Sequence, residues 1–256
     1  MKLFISIKNS IPNFLTLMNL FSGCLSILAT VEGYPIWSGV FIFIAAGFDF
    51  LDGFVARLLK ATSSIGKELD SLADLISFGL APAFIVFGFL KSVLLINHIE
   101  SDDFSWVNIF ILASPFLIAL FSALRLAKFN IDERQTSEFI GLPTPANAIF
   151  FAWLPIILSS YDLTAFFIIL NLKSLIFVTI LHSFLLVSPF PMFSLKIKSF
   201  HWKGNQIRYI FIAATIILIL FLKLYSVPFI IWLYILTGII RYIILLKNSK
   251  TTIINH

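Results

Sequence analysis

Charged residues are scarce in this sequence. Asp, Glu, Lys and Arg make up only 12% of its 256 residues, whereas an ordinary soluble domain carries about 25%. Hydrophobic residues make up 59%, and the mean hydropathy is +1.01. Too few polar side chains are present to cover so apolar a core in water, which excludes an ordinary soluble globular domain. The composition therefore predicts an integral membrane protein made of helices.

Cysteine is almost absent as well. The single Cys24 lies in an apolar stretch, so an intrachain disulfide is excluded, and the sequence has no C-x-x-C pair for zinc. We interpret Cys24 as a small packing residue. A secretory cleavage site is also missing, because the apolar run after Lys2 and Lys8 is not followed by a small-residue site. We interpret this run as a first membrane helix rather than a removed leader.

Long apolar runs, by contrast, are present along the whole chain. Eight runs approach the length of a bilayer span; they lie near residues 13–31, 36–60, 69–96, 105–128, 144–160, 164–188, 206–223 and 227–246. The fifth run is short and the sixth contains Asn171 and Lys173, so six or seven spans is an alternative count. We therefore predict an all-α fold, a polytopic membrane helical bundle of about eight transmembrane helices, forming a single domain over residues 1–256.

The distribution of positive charge predicts the orientation in the membrane. If the N-terminus lies inside, 15 of the 18 lysines and arginines fall on the cytoplasmic side, Lys91 and Lys223 fall outside, and Lys173 lies within a span. We therefore expect a protein of the inner or plasma membrane with both termini in the cytoplasm.

Acidic residues are concentrated in residues 49–74, DFLDGFVARLLKATSSIGKELDSLAD. On a helix, the spacing of Asp49 and Asp52 by three residues, and of Asp70 and Asp74 by four, places each pair on one face. The two pairs lie on successive antiparallel spans, at similar depth near the cytoplasmic side. Placing four ionised carboxylates there costs on the order of 10 kcal/mol on insertion scales, so the cluster needs a compensating partner.

Protonation or bound divalent cations would remove this cost. All-carboxylate sites suit Mg²⁺, Mn²⁺ or Ca²⁺ rather than zinc, and two such ions about 4 Å apart can clamp a phosphoryl group. Gly53 and Ala56 are small enough to admit a ligand, and Arg57 is a forked cation for phosphate. A buried salt-bridge network is an alternative, but one arginine cannot balance four carboxylates. A proton relay would explain the acids but not the glycines.

The pattern D-x-x-D-G-x-x-A-R, eight further residues and G-x-x-x-D-x-x-x-D resembles the signature of the CDP-alcohol phosphatidyltransferases at every fixed position. The resemblance implies two divalent cations, Mg²⁺ or Mn²⁺, and attack of an alcohol on the phosphorus nearest the lipid of a CDP-linked donor, with release of CMP. The implied metal ligands are Asp49, Asp52, Asp70 and Asp74, and Asp74 is also the implied general base. The implied contacts of the donor are Gly53, Ala56, Arg57, Ser63 and Gly66, with Thr62 or Ser64 as alternatives to Ser63.

Residues 11–23, IPNFLTLMNLFSG, resemble the first helix of the family. Asn13 and Thr16 in this segment are candidates to contact the nucleotide. The alternative for both is that they cap and pack their own helix.

Four further segments resemble the phosphatidylserine synthases within the family: SLADLISFGLAP (71–82), ALRLAKFN (123–130), FIGLPTPA (139–146) and LVSPFPMFSLK (186–196). They favour L-serine as the acceptor. Arg125 and Lys128 are candidates to bind its carboxylate, with ordinary positive-inside anchoring as the alternative, and Ser194 and Lys196 are further candidates to reach the site. Asn147 departs from the pattern, which has a small residue there.

The rest of the chain gives weaker signals. We interpret His182, which lies in an apolar span, as a hydrogen-bonded packing residue rather than a ligand. The last two spans, about residues 206–246, carry no readable motif.

The sequence therefore predicts an enzyme that transfers the phosphatidyl group from CDP-diacylglycerol to L-serine, giving phosphatidylserine and CMP, with a cytoplasmic active site. A sister enzyme that uses glycerol 3-phosphate or inositol is one alternative, and a cation-coupled membrane transporter is an alternative from a different class. The expected partners are the two substrates and membrane lipids, without nucleic acid, and a homodimer is expected on the family's precedent.

Overall fold

The computed structural model describes residues 2–61, 63–96, 106–131, 139–160, 168–169, 171–192 and 205–254. Almost all of this part is helical. The helices are α1 (Lys2–Val31), α2 (Pro35–Leu58), α3 (Ser64–Asp74), α4 (Ala81–Ile96), α5 (Trp106–Ala113), α6 (Phe116–Ile131), α7 (Thr144–Leu158), α8 (Leu172–Leu186), α9 (Gln206–Leu222) and α10 (Ser226–Ile254). The all-α prediction is confirmed at this level.

Two short irregular elements modify the helices. A π-helical segment, Leu75–Leu80, joins α3 directly to α4, so that residues 64–96 form one continuous helical rod. A 3-10 turn, Lys223–Tyr225, separates α9 from α10. The strands of the described chain are one antiparallel pair, β1 (Phe139–Ile140) and β2 (Pro191–Met192). This pair ties the segment before α7 to the segment after α8.

Fewer helices are long enough to cross a membrane than the eight spans predicted from the sequence. Four helical stretches in the described residues are long and apolar enough to cross a bilayer, namely Ser10–Val31, Pro35–Leu58, Ser64–Ile96 and Gln206–Ile244. α5 and α6 together would form a fifth, bent by 42° at Pro115, which lacks the N–H needed to continue a helix. α7 and α8 are apolar but have 15 residues each, about 22 Å against a hydrocarbon core of about 30 Å. A helical membrane protein is thus confirmed, but eight spans are not established by length.

The stretch Gln206–Ile244 folds back on itself. The rings of Phe211 on α9 and Tyr234 on α10 have centroids only 5.9 Å apart, whereas the same residues on a straight helix would be about 35 Å apart. Lys223, at the junction, has a φ of 46°, outside the helical range. The chain therefore reverses between the two helices, in agreement with two separate predicted segments.

Small residues let the helices around the centre pack closely. A Cβ atom on Gly39 of α2 would overlap the carbonyl oxygen of Ala152 on α7, and one on Gly23 of α1 would overlap Ser77 in the π-helical segment. Such close approach is the usual mode of helix packing in membranes. The core beside these contacts is formed by buried side chains of α2, α4, the π-helical segment and α7, including Ile42, Phe78, Val86 and Phe151. Many large apolar side chains instead point outward, including Phe14, Phe50, Phe110 and Phe221, as expected of a surface in contact with lipid.

Candidate active site

Three of the four motif aspartates form a tight cluster. Asp49 on α2 and Asp70 and Asp74 on α3 each offer a carboxylate oxygen, and these oxygens all lie within 4.8 Å of one another. Oxygen ligands of a single Mg²⁺, Mn²⁺ or Ca²⁺ ion lie about 2.0–2.6 Å from the metal, so opposite ligands are about 4–5 Å apart. The cluster therefore fits a hard divalent cation. The predicted meeting of the acidic faces of these two helices is confirmed.

Asp52 lies beside this cluster, where a hydroxyl group from the first helix holds it. Thr16 of α1 donates a hydrogen bond of 2.7 Å to Oδ2 of Asp52, and its hydroxyl also contacts the carbonyl oxygen of Pro12 at 3.1 Å. Both side chains are buried, and Asp52 is close enough to Asp70 for the two carboxylates to repel each other. The structure thus connects Thr16 to the acidic motif.

A second α1 side chain contacts Asp74. Nδ2 of Asn19, which is fully buried, donates to Oδ1 of Asp74 at 3.2 Å. The backbone oxygen of Asn19 accepts from the hydroxyl of Ser77 at 2.9 Å, which fixes α1 against the helix that carries Asp74. We did not single out Asn19 from the sequence. The signal was present, because Asn13, Thr16 and Asn19 are spaced by three residues on one face of an apolar helix.

Small residues in and beside the turn between α2 and α3 leave room for close contacts and for a cleft. Ser63 is the N-cap of α3, and its Oγ accepts from the backbone N–H of Gly66 at 2.9 Å. A Cβ atom on Gly66 would lie 2.9 Å from that Oγ and 3.0 Å from Oδ1 of Asn13, so a larger residue would displace these two side chains. A Cβ atom on Gly53 would meet nothing within 4 Å in the described part of the chain, so Gly53 borders open space there.

This open space is a cleft of about 520 Å³, within the range of small-molecule sites. Its lining comprises Pro12, Asn13, Thr16, Asp52, Gly53, Ala56, Ala61, Ser63, Ser64, Gly66, Lys67 and Asp70. The structure therefore brings together all the predicted donor contacts except Arg57, which is exposed near the end of α2 and is not among the lining residues. Thr62 lies outside the described residues. Lys67, which the motif does not specify, does line the cleft.

The two candidate serine-binding cations lie in different environments. Arg125 on α6 is buried, its Nη1 donates to the hydroxyl of Thr144 on α7 at 3.4 Å, and its charge is close enough to Asp74 to attract it. Nε of Arg125 is buried without a hydrogen-bond partner among the described residues. Lys128, one turn further on, is exposed. Ser194 and Lys196 lie outside the described residues.

Asn147, which departs from the family pattern, has a specific partner. Its Oδ1 lies 2.8 Å from Nδ1 of His182 on α8, and both side chains are fully buried. The His182 ring packs on Phe150 with centroids 4.2 Å apart and contacts the rings of Phe151 and Trp232. His182 is therefore the hydrogen-bonded packing residue that we predicted, and Asn147 supplies its acceptor.

Comparison with known proteins agrees with the motif. The family model for CDP-alcohol phosphatidyltransferase matches residues 9–189. The chain is 36% identical over 160 residues to archaetidylserine synthase of Methanothermobacter thermautotrophicus, covering 62% of this chain and 60% of that protein. It is 34% identical over 161 residues to CDP-diacylglycerol–serine O-phosphatidyltransferase of Methanocaldococcus jannaschii, covering 63% and 68%. It is 36% identical over 139 residues to the protein of the same name from Bacillus subtilis, covering 54% and 70%.

These similarities span between 60% and 70% of the length of the three relatives, and each of their names includes serine. The family match covers the acidic cluster, the cleft and the helices that form them, together with α4 to α8. It stops before α9 and α10, where no motif is readable. Because the match extends over most of the chain and includes every fixed motif position, the chain belongs to the CDP-alcohol phosphatidyltransferase family.

Proposed function

We propose that the protein transfers the phosphatidyl group from CDP-diacylglycerol to L-serine, forming phosphatidylserine and CMP. The observation that carries the proposal is the convergence of Asp49, Asp70 and Asp74, with carboxylate oxygens within 4.8 Å of one another, beside a cleft that Asp52 and Asp70 also line. Serine is favoured over glycerol 3-phosphate or inositol because the relatives named above carry serine in their names.

The four aspartates of the motif would hold two divalent cations, Mg²⁺ or Mn²⁺. Their donor set consists of carboxylate oxygens, which these hard cations prefer. When bound, the cations neutralise the carboxylates and polarise the diphosphate of the donor. Thr16 orients the Asp52 carboxylate and Asn19 orients that of Asp74, so α1 fixes one residue of each pair.

The donor's CDP group would occupy the cleft, and its acyl chains would remain in the surrounding lipid. Gly53 and Ala56 of α2 leave room for the nucleotide, while Asn13 and Ser63 offer polar atoms to it from the same lining. Because the cleft is formed between membrane-capable helices with large outward apolar side chains, the lipid tails need not leave the bilayer during the reaction.

Asp74 would act as the general base. It accepts the proton of the serine hydroxyl as the serine oxygen bonds to the phosphorus nearest the lipid. The bond between that phosphorus and the bridging oxygen breaks, and CMP leaves with the electron pair. Arg125 and Thr144 lie on the Asp74 side of the site, where the guanidinium can bind the carboxylate of serine and hold its hydroxyl toward Asp74.

The membrane arrangement is part of the proposal. Eight crossing segments would follow from counting α7 and α8 as short spans, α9 and α10 as separate spans, and α5 with α6 as one. With the N-terminus inside, the basic residues then place the turn between α2 and α3 in the cytoplasm, where serine and CMP are soluble.

A panel of acceptors tests the proposal. Purified protein given CDP-diacylglycerol, Mg²⁺ or Mn²⁺ and labelled L-serine should form labelled phosphatidylserine and release CMP. Product with glycerol 3-phosphate or inositol but not with serine would assign the protein to a sister activity. Transport of Mg²⁺ or serine into liposomes without CMP release would favour the transporter alternative instead.

A further inference from the structure

The cleft contains one positively charged side chain that the motif does not specify. Lys67 lines the cleft together with Gly66 and Asp70, and the other lining residues in the described part of the chain are neutral or acidic. It lies in the first turn of α3, three residues before Asp70, so the two side chains share a face of that helix. The lysine is therefore directed toward the same space as the metal-binding motif.

Arg57, the cation that the motif does specify, is directed elsewhere. At 100° per residue, it is rotated by about 140° around α2 from Asp52, whereas Ala56 is rotated by only about 40°. The structure agrees, because Ala56 lines the cleft and Arg57 is exposed outside it. α2 thus presents small residues to the cleft and its arginine to a different side.

A contact with α6 holds the Lys67 side chain in place. Its Nζ donates to the backbone oxygen of Asn130 at 3.1 Å, one of the last carbonyl groups of α6, which have no partner within their own helix. The side-chain amide of Asn130 donates in turn to the hydroxyl of Ser71 at 2.8 Å. An ammonium group has three N–H donors, so this contact leaves two for a ligand in the cleft.

A diphosphate entering this cleft needs such a group. Asp52 and Asp70 line the space and Asp49 and Asp74 lie next to it. Two divalent cations would balance the charge of these four carboxylates, which leaves the negative charge of the diphosphate itself to be met by a cationic side chain. We infer that Lys67 binds the diphosphate of the CDP-linked donor and supplies the protein's positive charge there in place of Arg57. This inference rests on the proposed function, because it takes the cleft as the site of the donor.

Equilibrium binding of labelled CDP-diacylglycerol to the full-length protein in mixed micelles, with Mg²⁺ and without serine, tests the inference. Lys67→Met should weaken binding about tenfold, as expected for loss of one charge-assisted hydrogen bond, and Lys67→Arg should restore most of it. Lys60→Met is the matched control: Lys60 is an exposed lysine in the connection between α2 and α3 that does not line the cleft, and binding should be unchanged. Arg57→Met should weaken binding less than Lys67→Met.

Competition experiments separate a charge effect from a change of fold. CDP should displace the labelled lipid less well from Lys67→Met than from the wild type, whereas cytidine, which has no phosphate, should compete equally with both. Equal CDP affinity in the two proteins, or an equal loss for CDP and cytidine, would overturn the role of Lys67. Failure of the wild-type protein to bind CDP-diacylglycerol would instead overturn the proposed function, and the inference with it.

Discussion

Replacing Asp74 with asparagine separates the chemistry at this position from its contribution to the fold. Asp74 is 9% exposed, and its Oδ1 accepts from Asn19 at 3.2 Å. Asparagine has the same shape and can present its own amide oxygen to Asn19, so the contact between α1 and α3 should survive. What is lost is the proton acceptor and one negative charge. General-base catalysis contributes about 10²–10⁴-fold, so we expect kcat to fall at least about a hundredfold.

The assay is incorporation of labelled serine into phosphatidylserine by purified Asp74→Asn, with thermal unfolding as the control for folding. In the presence of a chelator, the variant should unfold at the same temperature as the wild type or higher, because one of four mutually repelling carboxylates has been removed. Asn19→Ala is a matched comparison that keeps Asp74 but removes the hydrogen bond that orients it. We expect a smaller decrease in kcat, of about tenfold. Turnover of Asp74→Asn at the wild-type rate would refute the assignment of the base.

Chelation with EDTA should abolish turnover and added Mg²⁺ or Mn²⁺ should restore it, because the clustered carboxylates need a cation to bind a diphosphate; full activity in chelator would refute the metal-dependent reaction. Gly66→Ala should lower the free energy of unfolding by about 1–3 kcal/mol, since the added Cβ would press on Ser63 and Asn13, and an unchanged thermal midpoint would show that the turn has room. Asn147→Ala should cost about 1–3 kcal/mol by leaving Nδ1 of His182 buried without its acceptor, whereas Asn147→Leu combined with His182→Phe should recover most of that loss. Equal destabilisation of the single and double variants in denaturant unfolding would contradict the pairing.

Helix periodicity was sufficient to predict the centre of the site. The four aspartates are spaced so that each pair lies on one face of its helix, and the short turn between α2 and α3 brings these two faces together. This inference uses residues 49–74 alone. For Asn13 and Thr16 the sequence left two roles open, contact with the nucleotide or packing of their own helix. The structure places both residues on the cleft. The sequence could not decide between these roles, because they depend on how α1 is rotated against α2.

The residues that sequence reasoning missed depend on contacts between distant segments. Asn19 contacts Asp74 across 55 residues of sequence, and Lys67 contacts Asn130 across 63. The helical spacing could have drawn attention to Asn19 itself, but no local pattern identifies the partner of either residue. Arg57 was predicted to contact the donor but does not line the cleft. A motif fixes the position of a residue in the sequence, but it does not show which side of the helix faces the ligand. The Asn147–His182 pair was visible only as two separate irregularities, a polar residue in place of a small one and a histidine in an apolar helix.

The π-helical segment Leu75–Leu80 has a consequence for how the acidic residues are aimed. A π-helical turn holds about one residue more than an α-helical turn, so the angular phase of α3 is offset from that of α4 although the two form a single rod. α3, which carries Asp70 and Asp74, can thus face the cleft while the apolar side chains of α4 pack against the core. Shortening this segment by one residue would turn Asp70 and Asp74 by about 100° relative to α4 and disperse the carboxylates without altering a single side chain among them.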